Sequence, residues 1–472
     1  MRQCLGLLTR LEKIHGRIIM TFGETILKYK EELFRDLNTL LSIESVDGEK
    51  DDECDRALRF VLGRAADFGL LGERVTDKSA HVQLGSGGRL CGVLSHLDVV
   101  PAGNNWSVNP FALTERDGRL MGRGIADDKG AALVNLYCLR ALKESGVEGK
   151  NTLRAIYGTS EETGMEDMDG YFDKMPLPDL AFTPDSEYGI CCAEKGIIHI
   201  EVSTIVNNAS VLSQFHSGKA INAVPDMAYV MLDSSSYDEQ LLMRLADAGT
   251  GNFEFNYTID GLMIISRGRA AHACEPQKGQ NAAAELIDLI SNAYEADEIG
   301  SICSFIDYAI NKETNGRSLG LKMSDSASGA LTVNLGVVHI EGETAKAQFD
   351  IRYPVTVSGE SVIKQFCRVA ENSKLRVETL HHEPPLFVER ESELIGILSE
   401  AYEAVTGEKP LIYSTGGGTY ARKLGGRGVA FGPNFRNDEI NMHNADESVD
   451  KENFLKHCQI CLEAMYRLYT QE

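Results

Sequence analysis

The sequence predicts an α/β domain on a central mixed, largely parallel sheet, interrupted by an inserted α+β domain. Three observations carry this. In the outer parts of the chain, strand-like apolar runs alternate with helix-like periodicity, as parallel strands joined by crossover helices require. In the middle, from about Ile197 to Leu380, β-rich runs crowd together with one clear helix among them. And 472 residues are too many for a single hydrophobic core. The expected division is 1–190 and 385–472 for the α/β domain and 191–384 for the insertion.

Residues 93–100 read as a strand, apolar except for His96 and Asp98. Residues 129–144 read as a helix. Leu133, Leu136, Leu139 and Leu142 recur along it, Asp127 and Asp128 stand in its N-cap region, and Gly146 follows its end. Residues 152–157 and 179–182 read as strands, running into "GTSEE" and "TPDSE". Within the insertion, "IIHIEVSTIV", "LMIISRGRAA", "LTVNLGVVHIEG" and "AKAQFDIRYPV" are strand-like, and a helix is expected near 281–296. Beyond it, a Gly-rich turn, "STGGGTYAR", precedes a closing helix at 454–469.

Acids outnumber bases 70 to 47, a formal net charge of −23. That excess disfavours nucleic acid or an anionic membrane as partner, since both need clustered Lys and Arg. It suits carboxylates that bind metal. The 11 Cys form no regular framework and read as free thiols in a reducing compartment. Cys458 and Cys461 make one CxxC without a second pair, on the closing helix, and read as structural. No apolar run is long enough to span a bilayer. The first twenty residues carry scattered charges rather than the continuous apolar stretch of a signal peptide. The expected location is the cytoplasm.

The polar residues that interrupt this pattern cluster at strand ends. His96 and Asp98 lie on one strand, where side chains two apart share a face. Asp127 opens a helix, Glu161 and Glu162 follow one strand, Asp185 follows another, and "NMHNADES" places His443 in a late loop. Ligands of open α/β sheets collect beyond the carboxyl ends of the strands. Imidazoles and carboxylates together suit Zn2+, or Mn2+ where carboxylates dominate. The acids are too many for one ion, and a carboxylate bridging two ions about 3.5–4 Å apart accommodates them. Singly, "ADDKG" could be only a helix cap and "SEETG" only a solvated acidic turn. Their joint occurrence in this order points to a site.

Six segments in order, "SHLDVVPAG", "GRGIADDKG", "SEETG", "TPDSE", "GRAAHACEPQKGQNA" and "MHNADE", resemble the M20 metallopeptidases, from about Thr21 to the C-terminus. The long insertion and "GGGTYAR" resemble the PepV-type, carnosinase-like dipeptidases within that family. The resemblance implies a di-metal catalytic domain with an inserted lid. It implies that His96 and Asp185 bind one ion, Glu162 and His443 the other, and that Asp127 bridges both. The ions would be Zn2+, with Mn2+ or Co2+ as alternatives.

Further roles follow from the same resemblance. Asp98 would accept a hydrogen bond from His96 and fix its tautomer. Glu161 would be the general base acting on a water that bridges the two ions. In the lid, His272 would donate to the developing oxyanion, with Asn222 assisting. Arg352 would clamp the terminal carboxylate of the substrate. Gly417, in the Gly-rich turn, would present backbone N–H groups to it.

The implied activity is hydrolysis of unblocked dipeptides, small-peptide substrates, by a monomer whose two domains close around them. The alternatives are an N-acyl amino acid amidohydrolase or carboxypeptidase of the same family, and a catalytically inactive metal-dependent peptide-binding protein. The presence of Glu161 argues against the last. Residues 1–19 have no counterpart in the family pattern, which makes Met20 an alternative start. His381 and His382 have no evident partners and read as surface.

Overall fold

The computed structural model describes residues 21–205, 210–233, 245 and 253–471. The expectation of a start at Met20 concerns residues that lie outside these. Among the described residues the chain forms two compact units. The first runs to Cys192 and resumes over Phe387–Tyr413 and from Gly418; the second comprises Ala193–Leu386 and Ser414–Gly417. The last four residues join the second unit through local contacts. Lys195 N donates to Thr415 O at 3.0 Å, and Gly416 sits against Cys274, whose Cβ would be 2.7 Å from any Cβ added there.

The sheet of the first unit has the order Leu71–Arg74, Ser79–Leu84, Thr152–Gly158, Leu90–His96, Leu180–Thr183, Gly428–Ala430, Ile190–Glu194, Leu386–Phe387. Ile412–Thr415 also pairs with Ile190–Glu194. The four central strands, from Thr152–Gly158 to Gly428–Ala430, run parallel. Pairs flanking them are antiparallel. A parallel centre must be covered on both faces, and its strands read as unbroken apolar runs; Leu90–His96 is buried over all but its first residue. The helix Lys129–Ser145 supplies the crossover between Leu90–His96 and Thr152–Gly158 and ends at Gly146, which takes φ 69 at the C-cap. The closing helix Lys451–Thr470 buries Cys458 and Cys461, and the Cys461 thiol lies 3.1 Å from Asn135 Oδ1.

One strand boundary differs from expectation in a way that matters. The strand expected over 93–100 ends at His96. Leu97 N still donates to Gly158 O at 2.9 Å, but Val99 N turns to Ser45 O. The apolar pattern continues past the point where the chain leaves the sheet, so Asp98 sits on the departing segment.

The second unit carries an eight-stranded antiparallel sheet in the order Phe253–Tyr257, Gly261–Arg267, Met227–Asp233, Leu212–Ser217, Thr332–Glu341, Thr344–Tyr353, Gly196–Ile205, Arg376–Glu383. Ile198, Phe215 and Phe349 of the sheet share one apolar core with Leu286, Phe305 and Phe366 of the helices Ala282–Ser291, Gly300–Ala309 and Gly359–Asn372. The helix expected near 281–296 is shorter, with Asn281 as its cap accepting from the N–H of Ala283 and Ala284. His382 does have a partner: its Nε2 lies 2.9 Å from Tyr353 Oη, because Arg376–Glu383 is a paired strand of this sheet rather than loose surface. No described helix is long and apolar enough to cross a membrane.

Candidate metal centre

His96 ends a parallel strand and is fully buried. Its Nε2 lies 2.8 Å from Asp127 Oδ1 and 4.0 Å from Asp185 Oδ2. The other Asp127 oxygen, Oδ2, lies 2.9 Å from His443 Nε2, and that nitrogen is 3.1 Å from Glu162 Oε1. One carboxylate thus faces two imidazoles with its two oxygens, each imidazole with a further carboxylate beside it. Donor atoms of His96, Asp127 and Glu162 lie within 4.8 Å of one another, as do those of His96, Glu161 and Asp185. The sequence-predicted residues His96, Asp127, Glu161, Glu162, Asp185 and His443 therefore meet in the first unit. On position alone Glu161 is as well placed to touch an ion as Glu162 is.

Each group is held by its own segment. Asp128 occupies the N-cap position of Lys129–Ser145, but its side chain caps nothing there; its Oδ2 accepts from His96 N at 3.3 Å. Neither Asp127 nor Asp128 therefore serves as the plain helix cap. His96 Nδ1 is 3.0 Å from the carbonyl of Asp98 and 3.4 Å from its carboxylate. The carbonyl is the nearer acceptor and holds the ring with Nε2 toward Asp127. The Asp98 carboxylate turns instead to the acidic turn, accepting from Glu161 N at 3.3 Å and Glu162 N at 3.1 Å. His443 adopts φ 61, a left-handed conformation that costs a non-glycine residue roughly 1–2 kcal/mol. It is also the most open of the cluster, its side chain 48% exposed.

Burial pulls His96 down, but contacts with Asp127 and Asp98 outweigh it and hold the imidazole well above its usual range. Hydrogen bonds to Asp127 and Glu162 raise His443 to about 10 against the opposing effect of burial. Burial pushes Asp127 upward, but His443 and His96 hold it below the usual carboxylate range. Burial, then Asp127, raises Asp185 well above that range. Burial and the neighbouring acids raise Glu161 well above that range and Glu162 upward, opposed by the imidazoles. None of these four carboxylates is paired with Lys or Arg among the described residues. Divalent cations would fit this cluster in both charge and donor chemistry.

The predicted lid residues belong to the second unit. His272 is exposed, and its Nδ1 accepts from Cys274 N at 3.1 Å. Asn222, also exposed, lies on the neighbouring segment, where its carbonyl accepts from Ala273 N at 2.9 Å. Arg352 is buried and held by Asp350, Nε to Oδ1 and Nη2 to Oδ2 both at 2.6 Å. Its Nη1 donates to Gly416 O at 2.9 Å, beside Gly417, whose N–H donates to Thr415 Oγ1 at 3.1 Å.

Three supporting groups escaped sequence reasoning. Buried Glu447 takes Arg123 Nη1 at 2.5 Å and the backbone N–H of Gly124 and Ala126 at 3.0 and 2.9 Å. It thereby ties the loop of His443 to the segment leading into Asp127. Asp167 Oδ2 accepts from Thr159 N and Ser160 N, at 2.7 and 2.9 Å, and from Tyr420 Oη at 2.5 Å. Asn334 Nδ2 donates to the carbonyls of Ile221 and Ala223, at 3.1 and 2.9 Å, on either side of Asn222. Only Glu447 lies within a motif noted above, "NMHNADES".

Acids and imidazoles crowded at the carboxyl ends of parallel strands, with no Lys or Arg paired to them among the described residues, are the donor set of a metal-dependent hydrolase. The chain belongs to peptidase family M20/M25/M40, whose model matches residues 92–467, and it is a metallopeptidase. It is 31% identical over 471 residues to the protein named "Putative dipeptidase YtjP" of Bacillus subtilis (strain 168), covering 95% of this chain and 100% of that one. It is 29% identical to a protein named "Putative dipeptidase" of Staphylococcus epidermidis (strain ATCC 12228 / FDA PCI 1200), covering 95% and 99%. Among solved structures, the dipeptidase Dug1p of Saccharomyces cerevisiae superposes with TM-score 0.59 at 15% identity, covering 96% of this chain and 98% of that one. Human carnosine dipeptidase 1 superposes with TM-score 0.58 at 15% identity, covering 94% and 97%. At such identity these two structures establish the shared fold and nothing finer.

Proposed function

We propose that the chain is a metal-dependent dipeptidase acting on small unblocked peptides. The observation that carries this is the Asp127 carboxylate, with one oxygen on His96 and the other on His443, inside a buried cluster of otherwise uncompensated acids. The names of the relatives support the dipeptide as substrate. His96, Asp127 and Asp185 would hold one divalent ion, and Asp127, Glu162 and His443 a second, Zn2+ with Mn2+ or Co2+ as alternatives. Such a pair of ions polarises the scissile carbonyl and acidifies the attacking water.

The rest falls to side chains. Glu161 takes the proton of the attacking water and returns it to the leaving amine, as the new C–O bond forms and the peptide C–N bond breaks. A carboxylate placed beside the ligands, with its backbone N–H held by Asp98, suits that exchange. Asp98 positions Glu161 and Glu162 through their backbone amides. The first unit acts as the catalytic domain and the second as the lid. In the lid, His272 donates to the developing oxyanion with Asn222 beside it, and Gly417 offers its backbone to the substrate. Arg352, with two of its five N–H groups beyond the contacts to Asp350 and Gly416, takes the terminal carboxylate. The protein works as a monomer, and its unpatterned cysteines suit the cytoplasm.

A panel of dipeptides, tripeptides and N-acyl amino acids, each assayed with Zn2+ and with Mn2+, tests the reading. Cleavage of free dipeptides alone supports it. Preference for acylated amino acids or longer peptides would move the chain to an amidohydrolase or carboxypeptidase role, and peptide binding without turnover would make it a binding protein.

A further inference from the structure

The second unit contains another group of metal-ligating side chains, which the reaction above does not use. His216 lies on the strand Leu212–Ser217, and His339 and Glu341 on its neighbour Thr332–Glu341. The antiparallel register sets His216 directly opposite His339. Glu341, two residues beyond His339, shares its face. The two Nδ1 atoms are 3.1 Å apart. Glu341 Oε2 lies 3.8 Å from His216 Nε2 and 4.0 Å from His339 Nε2. One donor atom from each residue can be chosen so that all lie within 4.8 Å of one another.

We propose that His216, His339 and Glu341 form a binding site for a borderline divalent cation, Zn2+ or a neighbouring transition metal, on the sheet of the second unit. Two donors about 2.0–2.1 Å from one tetrahedral ion lie about 3.3 Å apart, close to the spacing of the two Nδ1 atoms; the exposed Glu341 side chain, now nearest the Nε2 atoms, would turn to join them. Two imidazoles and one carboxylate favour Zn2+, Ni2+ or Cu2+ over Mg2+ or Ca2+, which prefer all-oxygen sites. The rings are mounted on adjacent paired strands. His216 is further fixed by Tyr229, stacked on it at 5.0 Å and 26°. The nearest cation on the following strand, Lys346, opposite His339, is engaged 3.3 Å away by Glu201, which leaves Glu341 to the imidazoles. The side chains of His216, His339 and Glu341 are 25%, 37% and 56% exposed, so the ion can enter from solvent and keep water in its remaining positions. Bound there, it would staple two central strands of the sheet.

The same 3.1 Å spacing also fits a plain imidazole–imidazole hydrogen bond, and the two accounts differ in zinc content. Full-length protein and the double variant His216→Ala/His339→Ala are dialysed against the same series of free Zn2+ concentrations, and bound zinc is counted per chain. The expected result is one ion per chain more in the wild type, with hydrolysis of a dipeptide unchanged in the variant. Glu341→Gln, a milder change at an exposed position, should lose that ion at the lowest zinc concentration that fills the wild type. Equal zinc in wild type and Glu341→Gln at every concentration, and in the double variant where it folds, overturns the proposal.

Discussion

Asp98 and Asp167 divide between them the backbone N–H groups of four successive residues. Asp167 takes Thr159 and Ser160, and Asp98 takes Glu161 and Glu162. A turn anchored at every amide by two buried carboxylates has little freedom, and the two glutamates project from it. Asp98→Asn keeps one accepting oxygen but turns an amide N–H against the other backbone N–H, and so loosens the glutamate end of the turn. The expected loss is roughly 10–100-fold in activity or metal affinity, the usual effect of removing a group that orients ligands. Asp167→Asn acts one step further back, and thermal melts should show it as a loss of about 1–3 kcal/mol of stability. Unchanged activity and zinc content in Asp98→Asn would refute its positioning role.

Glu161 and Glu162 are distinguished by chemistry rather than position. Glu161→Gln removes a proton acceptor while keeping shape and polarity. Turnover should fall by at least about 10²–10⁴-fold with both ions retained. Glu162→Gln should instead lower the metal count. Loss of an ion from Glu161→Gln would mean that the two residues have exchanged roles, an outcome the proximity of Glu161 to His96 and Asp185 makes worth measuring.

How much of this was legible in the sequence depended on contrast. His96 interrupts an apolar strand, and Glu161 and Asp185 follow such strands, where a charged group is costly and therefore conspicuous. Asp167, Arg123 and Asn334 have no such contrast. They look like any acid, base or amide near an element end, and their partners are distant in sequence. Arg123 and Glu447 are 324 positions apart. The end of the first strand at His96 was hidden for the opposite reason, since Leu97, Val99 and Val100 keep the apolar pattern after the chain has left the sheet. The pull of Ser414–Gly417 into the second unit rests on contacts to Lys195, Cys274 and Arg352 that no local pattern encodes.

In the lid, His272→Ala should leave metal content unchanged and reduce kcat by on the order of 10²–10³-fold, as deletion of one oxyanion donor does. Arg352→Ala should chiefly raise KM for substrates with a free carboxylate. It also strips Asp350 of its partner and should lower the melting temperature. If kcat per folded molecule is unaltered in His272→Ala at saturating dipeptide, the histidine merely packs within the lid.

Acid should destabilise the fold before it protonates ordinary carboxylates. Burial, then Arg154, lowers His81 from 6.5 to about 4, and burial lowers His457 to about 3. Below pH 6.5 the unfolded chain binds protons that the folded chain excludes. The stability these residues confer is therefore complete above about pH 6.5 and is lost as pH falls toward 4 and 3. Melting temperatures recorded from pH 7 to 4 should decline, and less steeply in His81→Gln. Identical slopes would show that His81 takes no part.

The most direct measurement of the central claim is the number of divalent ions per chain, counted alongside hydrolysis of a free dipeptide, before and after exhaustive chelation. With the site on the second unit removed by His216→Ala/His339→Ala, two ions per chain are expected. Activity should vanish on chelation and return with Zn2+, Mn2+ or Co2+, and Asp127→Ala should lose both ions together, since its carboxylate serves both imidazoles. Full activity in protein shown to hold no metal would contradict the account outright.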